Sequence, residues 1–296
     1  MQINSNIENN LAKAMNKVTA PKKSRSYELC IKADAMRFAK LYQESVKYYL
    51  DSIMMDREHQ EAYWGLAFSY KYLEKYSKAI NMLEKLVKID DKNDKYFYEL
   101  GVCHLCDGHP EKAIPHLVQS IVINKENLEA QIQLAIAHEL VDEADLSLLI
   151  YNKLIETNPE FLKAYYNKAA MLMGLGNFEE ASKTFFKLLK RNPDYYKAYY
   201  NLANIYLENS RYNNAIENYK LALKYNKENP YVYYNLACAY IKIAELKKAK
   251  SQLIKAVTIK NDIPEIHYNL AYVYKELNKP KLAQVYLDNY NKLISY

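Results

Sequence analysis

The sequence predicts an all-α chain built from stacked helix–turn–helix units. Three observations carry that prediction. The 296 residues include only 5 Gly and 8 Pro, too few for a turn-rich β-sandwich or a doubly wound α/β enzyme with glycine loops. Half of the residues are apolar and 26% are charged, the balance of a folded chain and not of a disordered or membrane-embedded one. Third, small residues recur every 34 positions: Ala33, Ala67, Gly101, Ala135, Ala169, Ala203, Ala237 and Ala271.

A second small residue follows each of these twelve positions later: Ser45, Ala79, Ala113, Ser147, Ala181, Ala215, Ala249 and Ala283. A fixed period of this length marks a repeat architecture, in which each unit buries its apolar face only by stacking on a neighbour. The small residues mark where two helix axes approach closely, and larger apolar residues at i+3/i+4 spacing fill the seam.

Residues 1–25 read as a basic arm, with Lys13, Lys17, Lys22, Lys23 and Arg25 against Glu8. Ile3, Ile7, Leu11, Met15 and Val18 lie at helical spacing and Ser5 with Glu8 forms a capping box, which predicts an amphipathic helix over 5–18. It can cap the array or act as a detachable arm. Eight units follow over 26–296. Unit 26–59 has Lys32 where most others have Leu. Unit 60–93 places Tyr70 three residues after its first small residue, a slot that usually holds a ring. Unit 94–127 has His104 in that slot, and Pro115 is expected to bend or shorten its second helix. Unit 128–161 has His138 there and Gln131 where an aromatic is usual. Unit 162–195 turns at Gly174-Leu175-Gly176-Asn177. Unit 196–229 carries YNLANIY and NNAIENYKLAL, and unit 230–263 carries YNLACAY and KKAKSQLIKAV. In unit 264–296, Gln284 and Asn291 replace residues that are apolar in most units, such as Ile80 and Leu189, so its outer face is expected to meet water. Asn158-Pro159, Asn192-Pro193, Asn229-Pro230 and Ile263-Pro264 separate successive units.

This register resembles the tetratricopeptide repeat (TPR) family throughout 26–296. The resemblance implies a right-handed α-α superhelix, a TPR solenoid, whose concave wall is lined by the first helix of each unit. It also implies that positions 2, 5, 6, 9, 12, 13 and 16 of each unit face the groove. Position 6 then gives a run of amides, Asn167, Asn201, Asn235 and Asn269; position 5 gives Tyr166, Tyr200, Tyr234 and Tyr268. Lys197 and Asn204 share that face in unit 196–229. An amide offers both a donor and an acceptor to a peptide backbone. Tyrosine adds rigid contact area and a hydroxyl. The expected function is a scaffold or adaptor that holds an extended peptide segment of a partner, mainly in repeats 5–8. These residue types are also the family's commonest at those positions, so a purely structural role stays open. So do two other readings: self-assembly, for instance a homodimer, through the repeat ends or the helix 5–18, and a substrate-recruiting subunit of a larger complex.

Other functions are disfavoured. The carboxylate clamp known in the family needs Lys at position 5, which here is never Lys. Charges on the expected wall nearly balance, with Arg37, Lys71, Lys197 and Lys242 set against Asp34, Glu99, Glu208 and Glu265. A nucleic-acid tracker needs a basic stripe instead. Cys103-x-x-Cys106 has metal-like spacing but lacks a second Cys/His pair. No phosphate loop, metalloprotease motif or nucleophile elbow occurs. No enzyme activity, metal or cofactor is expected. Four cysteines without a disulfide framework, no leader-like N-terminus and no run of about 18 apolar residues give the expectation of a soluble cytoplasmic protein.

Overall fold

The computed structural model describes residues 25–295; the amphipathic helix expected at 5–18 and nearly all of the basic arm lie outside the described residues. Among the described residues, sixteen helices run in consecutive pairs, one pair to each 34-residue unit. The chain divides into two compact units, one ending at Leu154 and one beginning at Ile155. The first holds helices Arg25–Phe38, Tyr42–Met55, Gln60–Tyr72, Tyr76–Ile89, Asp94–Cys106, Pro110–Ile123, Leu128–Leu140 and most of Ala144–Thr157. The second holds Leu162–Gly174, Phe178–Arg191, Tyr196–Glu208, Tyr212–Tyr225, Pro230–Lys242, Leu246–Ile259, Pro264–Glu276 and Pro280–Ile294.

The small residues do what their spacing implies. Ala33, Ala135, Ala169, Ala203 and Ala237 are fully buried, as are Ala79, Ala113, Ala181, Ala215 and Ala249. At Gly101 a Cβ would stand 2.6 Å from Leu117 Cγ, so the paired helices touch through bare backbone. Large side chains fill the space between these contacts, with Tyr49, Tyr151, Tyr165, Tyr219 and Phe185 the largest fully buried groups.

One hydrogen-bond pattern ends every first helix. In unit 60–93, Lys75 N donates to Tyr70 O and Glu74 N to Lys71 O, a Schellman closure that places Glu74 at φ 56°. The equivalent residue is left-handed in all eight units: Lys40, Glu74, Gly108, Asp142, Gly176, Ser210, Ala244 and Asn278. A second device joins successive units. Asp56, Asp90, Asn124, Asn192 and Asn226 each accept at Oδ1 from the backbone N–H two residues on, at 3.0 or 3.1 Å. These side-chain turns end the second helix and aim the chain into the next unit.

Pro115 does not shorten its helix. Pro110–Ile123 has 14 residues, as does the corresponding helix Tyr76–Ile89. Pro115, the sixth helical residue, offers no N–H for the i→i−4 bond to Glu111 O, and the helix runs on past it to Ile123. The water-facing residues of the last unit are as expected: Gln284 and Asn291 are exposed, whereas Ile80, Leu189 and Ile216 at equivalent positions are buried.

A titratable pair lies in the core of the first unit. The rings of His104 and His116 stack with centroids 5.4 Å apart, and His104 Nδ1 is buried with no partner. Burial, chiefly, holds both pKa values below the ordinary histidine value; for His104 the charge of His116 adds to this, and Glu84 opposes it at both. Both therefore hold a proton less readily when folded than when unfolded, where histidine takes one up near pH 6.5. Their contribution to stability is complete above about pH 6.5 and is lost as pH falls from there toward the lowered folded values. Stability should fall by up to about 1.4 kcal/mol per pH unit for each histidine in that window. The variant His116→Phe should flatten the slope of melting free energy between pH 6.5 and 5; an unchanged slope removes His116 as the source.

Candidate functional site

The expected amide run falls within the second compact unit, on helices 162–174, 196–208, 230–242 and 264–276. In each helix the residues at unit positions 3 and 8 are buried against the second helices, for example Ala164 with Ala169 and Ala198 with Ala203. Helical geometry then turns positions 5, 6 and 9 toward another face. Tyr166, Asn167, Tyr200, Asn204, Tyr234, Asn235 and Asn269 are half-buried there, Lys197 is exposed, and Tyr268 is 54% exposed. Asn201 is buried, at 7%.

The structure brings these residues together in an order the sequence did not reveal. Three of the amide nitrogens reach back to the preceding repeat. Asn201 Nδ2 donates to Tyr166 Oη at 3.5 Å, a weak bond, and Asn235 Nδ2 to Tyr200 Oη at 3.0 Å. Asn269 Nδ2 donates to Cys238 Sγ at 3.4 Å. Asn235 Nδ2 also donates to Asn204 Oδ1 at 3.1 Å, and the fully buried Tyr219 donates its hydroxyl to that same oxygen at 2.6 Å. The donor half of three amides is therefore committed to the stack itself, and the acceptor of Asn204 is saturated.

What remains is a set of open acceptors and donors. Among the described residues nothing donates to Oδ1 of Asn201, Asn235 or Asn269. Tyr166 and Tyr200 accept from asparagine, which leaves their hydroxyl protons to donate. Burial raises the pKa of Tyr200 against the opposing bonds with Asn204 and Asn235, and it raises that of Tyr234 with a further contribution from Cys238. Both phenols stay protonated donors at neutral pH. Asn167 makes no bond among the described residues.

Asn204 belongs partly to the scaffold. Tyr49 donates to Asp34 Oδ1 at 2.7 Å in the first repeat, just as Tyr219 donates to Asn204. In the fourth repeat the corresponding residue is Ile136, which has no acceptor to offer, and the buried Tyr151 hydroxyl has no partner. Sequence reasoning passed over two exposed rings on the same face, Tyr231 (48%) and Tyr272 (43%). They sit at positions 2 and 9, where no repeating residue type draws attention. It also missed a cleft of about 430 Å³ lined by Met173, Phe178, Asn204, Ile205, Leu207, Glu208 and Asn235. Helix 178–191 packs more thinly on helix 196–208 than the later repeats of this compact unit pack on each other.

Two other side-chain sets resemble chemistry without its access. Ser26 Oγ lies 2.7 Å from His59 Nδ1, and Glu61 Oε2 lies 3.6 Å from His59 Nε2. Ser26 and His59 are only 2% and 3% exposed, so no substrate reaches the hydroxyl. With Ser52 they tie helices 25–38 and 42–55 together. Cys103 is buried, its thiol pushed up to about 12 chiefly by burial, while Cys106 is exposed at the helix end. Among the described residues no three His, Cys, Asp or Glu side chains gather as metal ligands, and no helix is long and apolar enough to cross a membrane.

Comparison with known proteins places this arrangement. Profiles described as tetratricopeptide repeat match residues 60–93, 166–232, 206–268 and 264–293, together more than half of the chain. Among solved structures, YrrB, described as a TPR protein with an unusual peptide-binding site, is 23% identical over 64% of this chain and 95% of its own, with a TM-score of 0.51. MamA is 25% identical over 54% of this chain and 94% of its own, with a TM-score of 0.51. The APC/C hetero-tetramer Cut9–Hcn1 is 19% identical over 91% of this chain and 53% of that chain, with a TM-score of 0.57. Repeat register, helix pairing, turn chemistry and profile matches agree: the chain belongs to the tetratricopeptide repeat family, an all-α solenoid that serves as a protein-interaction scaffold.

Proposed function

We propose that the exposed face of helices 162–174, 196–208, 230–242 and 264–276 is a groove wall that holds an extended segment of a protein partner. One observation carries this reading. A tyrosine–asparagine hydrogen bond joins successive repeats twice, Asn201 to Tyr166 and Asn235 to Tyr200, with amide acceptors and phenol donors left open. Alternating donors and acceptors match a main chain and ask little of its side chains. Tyr231, Tyr268 and Tyr272 add exposed ring surface of the kind that dominates interfaces. YrrB, a neighbour in fold, is described as having a peptide-binding site, which is consistent with this use of the scaffold.

End-on self-assembly is less well supported. Glu28 and Lys32 are exposed where Ala62 and Leu66 are fully buried one repeat later, and Gln284 and Asn291 are exposed at the other terminal repeat. Polar residues on these faces disfavour continued stacking.

A photoreactive amino acid at Tyr268, which is 54% exposed with its ring 5.4 Å from that of Tyr290, should crosslink to one extended segment of a partner in cells. The double variant Asn201→Ala/Asn235→Ala should lower that yield at least several-fold with the helical signal unchanged. It loses three inter-repeat bonds, each worth about 1 kcal/mol at most, so its midpoint should drop. Equal crosslinking by variant and parent would remove the groove reading.

A further inference from the structure

We infer that the cleft beside Asn204 and Asn235 is an anchor site for a long basic side chain, arginine above all, of the peptide held in the groove. This inference rests on the groove reading and adds to it the chemistry of one partner residue. Met173, Phe178, Ile205 and Leu207 form its apolar walls, and Glu208 is its only charged lining residue. Among the described residues Glu208 makes no hydrogen bond or ion pair, whereas Lys71 and Glu99, or Arg37 and Asp34, neutralise each other elsewhere.

The polar atoms that remain open favour a cation. Asn204 Oδ1 is saturated by Tyr219 and Asn235, and Asn235 Nδ2 is spent on Tyr200 and Asn204. What is left is the Glu208 carboxylate and Asn235 Oδ1 as acceptors, while Asn204 Nδ2 faces the Tyr200 hydroxyl. A guanidinium brings five donors and no acceptor on an apolar stem. The stem fits the methionine, leucine, isoleucine and phenylalanine walls, and the head meets two acceptors. A volume of about 430 Å³ accommodates the side chain with its flanking backbone. A carboxylate ligand would face Glu208 directly, and a purely apolar one would desolvate it without compensation.

The probes are the peptide acetyl-Ala-Arg-Ala-amide and its citrulline analogue, which keeps the shape and removes the charge. Amide resonances of the full chain are followed by NMR during titration. The arginine peptide should shift residues around Glu208 and Asn235 saturably, and the citrulline peptide should bind at least tenfold more weakly. Glu208→Gln should erase most of that difference and melt like the parent, since Glu208 has no bond to lose. Equal binding of the two peptides, shifts centred elsewhere, or an indifferent Glu208→Gln would overturn the anchor. Should that happen while Asn201→Ala/Asn235→Ala still loses its partner, the groove stands and the anchor alone falls. Selective arginine binding with undiminished crosslinking by the double variant would support the anchor and remove the amide wall.

Discussion

Replacing Gly65 with alanine will destabilise the fold by about 3 kcal/mol, although alanine is the better helix former by about 1 kcal/mol. The added Cβ would overlap Cζ and the hydroxyl of Tyr49. That ring is fully buried, and its hydroxyl donates to Asp34 at 2.7 Å and accepts from Arg37 Nε at 2.9 Å. It can yield only by giving up both bonds, and a buried hydroxyl left without partners costs about 1–3 kcal/mol on top of the strain. Thermal and urea melts should show the loss, and amide exchange should place it in residues 26–93. The double variant Gly65→Ala/Tyr49→Leu should recover part of it, since shrinking the ring removes the clash. A single variant within about 0.5 kcal/mol of the parent would mean that the contact is not tight.

The opposite sign is expected at the turns. Lys40, Glu74, Ser210 and Ala244 are exposed and hold φ between 56° and 62°. A left-handed conformation costs a residue with a Cβ about 1–2 kcal/mol, and glycine gives back about 0.5–1 kcal/mol through its freer unfolded chain. Glycine at each site should therefore stabilise by roughly 0.5–1 kcal/mol. The four sites lie in separate repeats, so their effects should nearly add, to about 2–4 kcal/mol. Gly108→Ala and Gly176→Ala provide the converse. Both glycines are left-handed at φ 79° and 75°, and a Cβ would meet nothing within 4 Å, so any loss is conformational and not steric. A quadruple variant no more stable than the parent would show that neighbouring contacts already relieve the strain.

The fold was legible because a stack reuses one packing solution. Ala169, Ala203 and Ala237 declare it by recurring, and each is fully buried. The turns were less so, because Lys, Glu, Ser and Ala carry no left-handed signature; the Schellman bonds around them are made by backbone, which the sequence does not display. The candidate site was legible in membership but not in wiring. Asn201, Asn235 and Asn269 could be named from their register, but whether an amide nitrogen faces solvent or the preceding repeat depends on hydroxyls and a thiol one unit back. The Glu208 cleft escaped notice because it arises from loose packing between two particular helices and not from any repeated residue.

The shared left-handed stop after each first helix bears on how such a chain can change length. Every hairpin folds back on itself at this stop through its own main chain, without instruction from its neighbours. Whole hairpins are thus interchangeable cassettes: one can be copied or excised and the severed ends still meet in frame. Losing part of a cassette has no such remedy, so viable length variants of this protein should differ by complete multiples of its period.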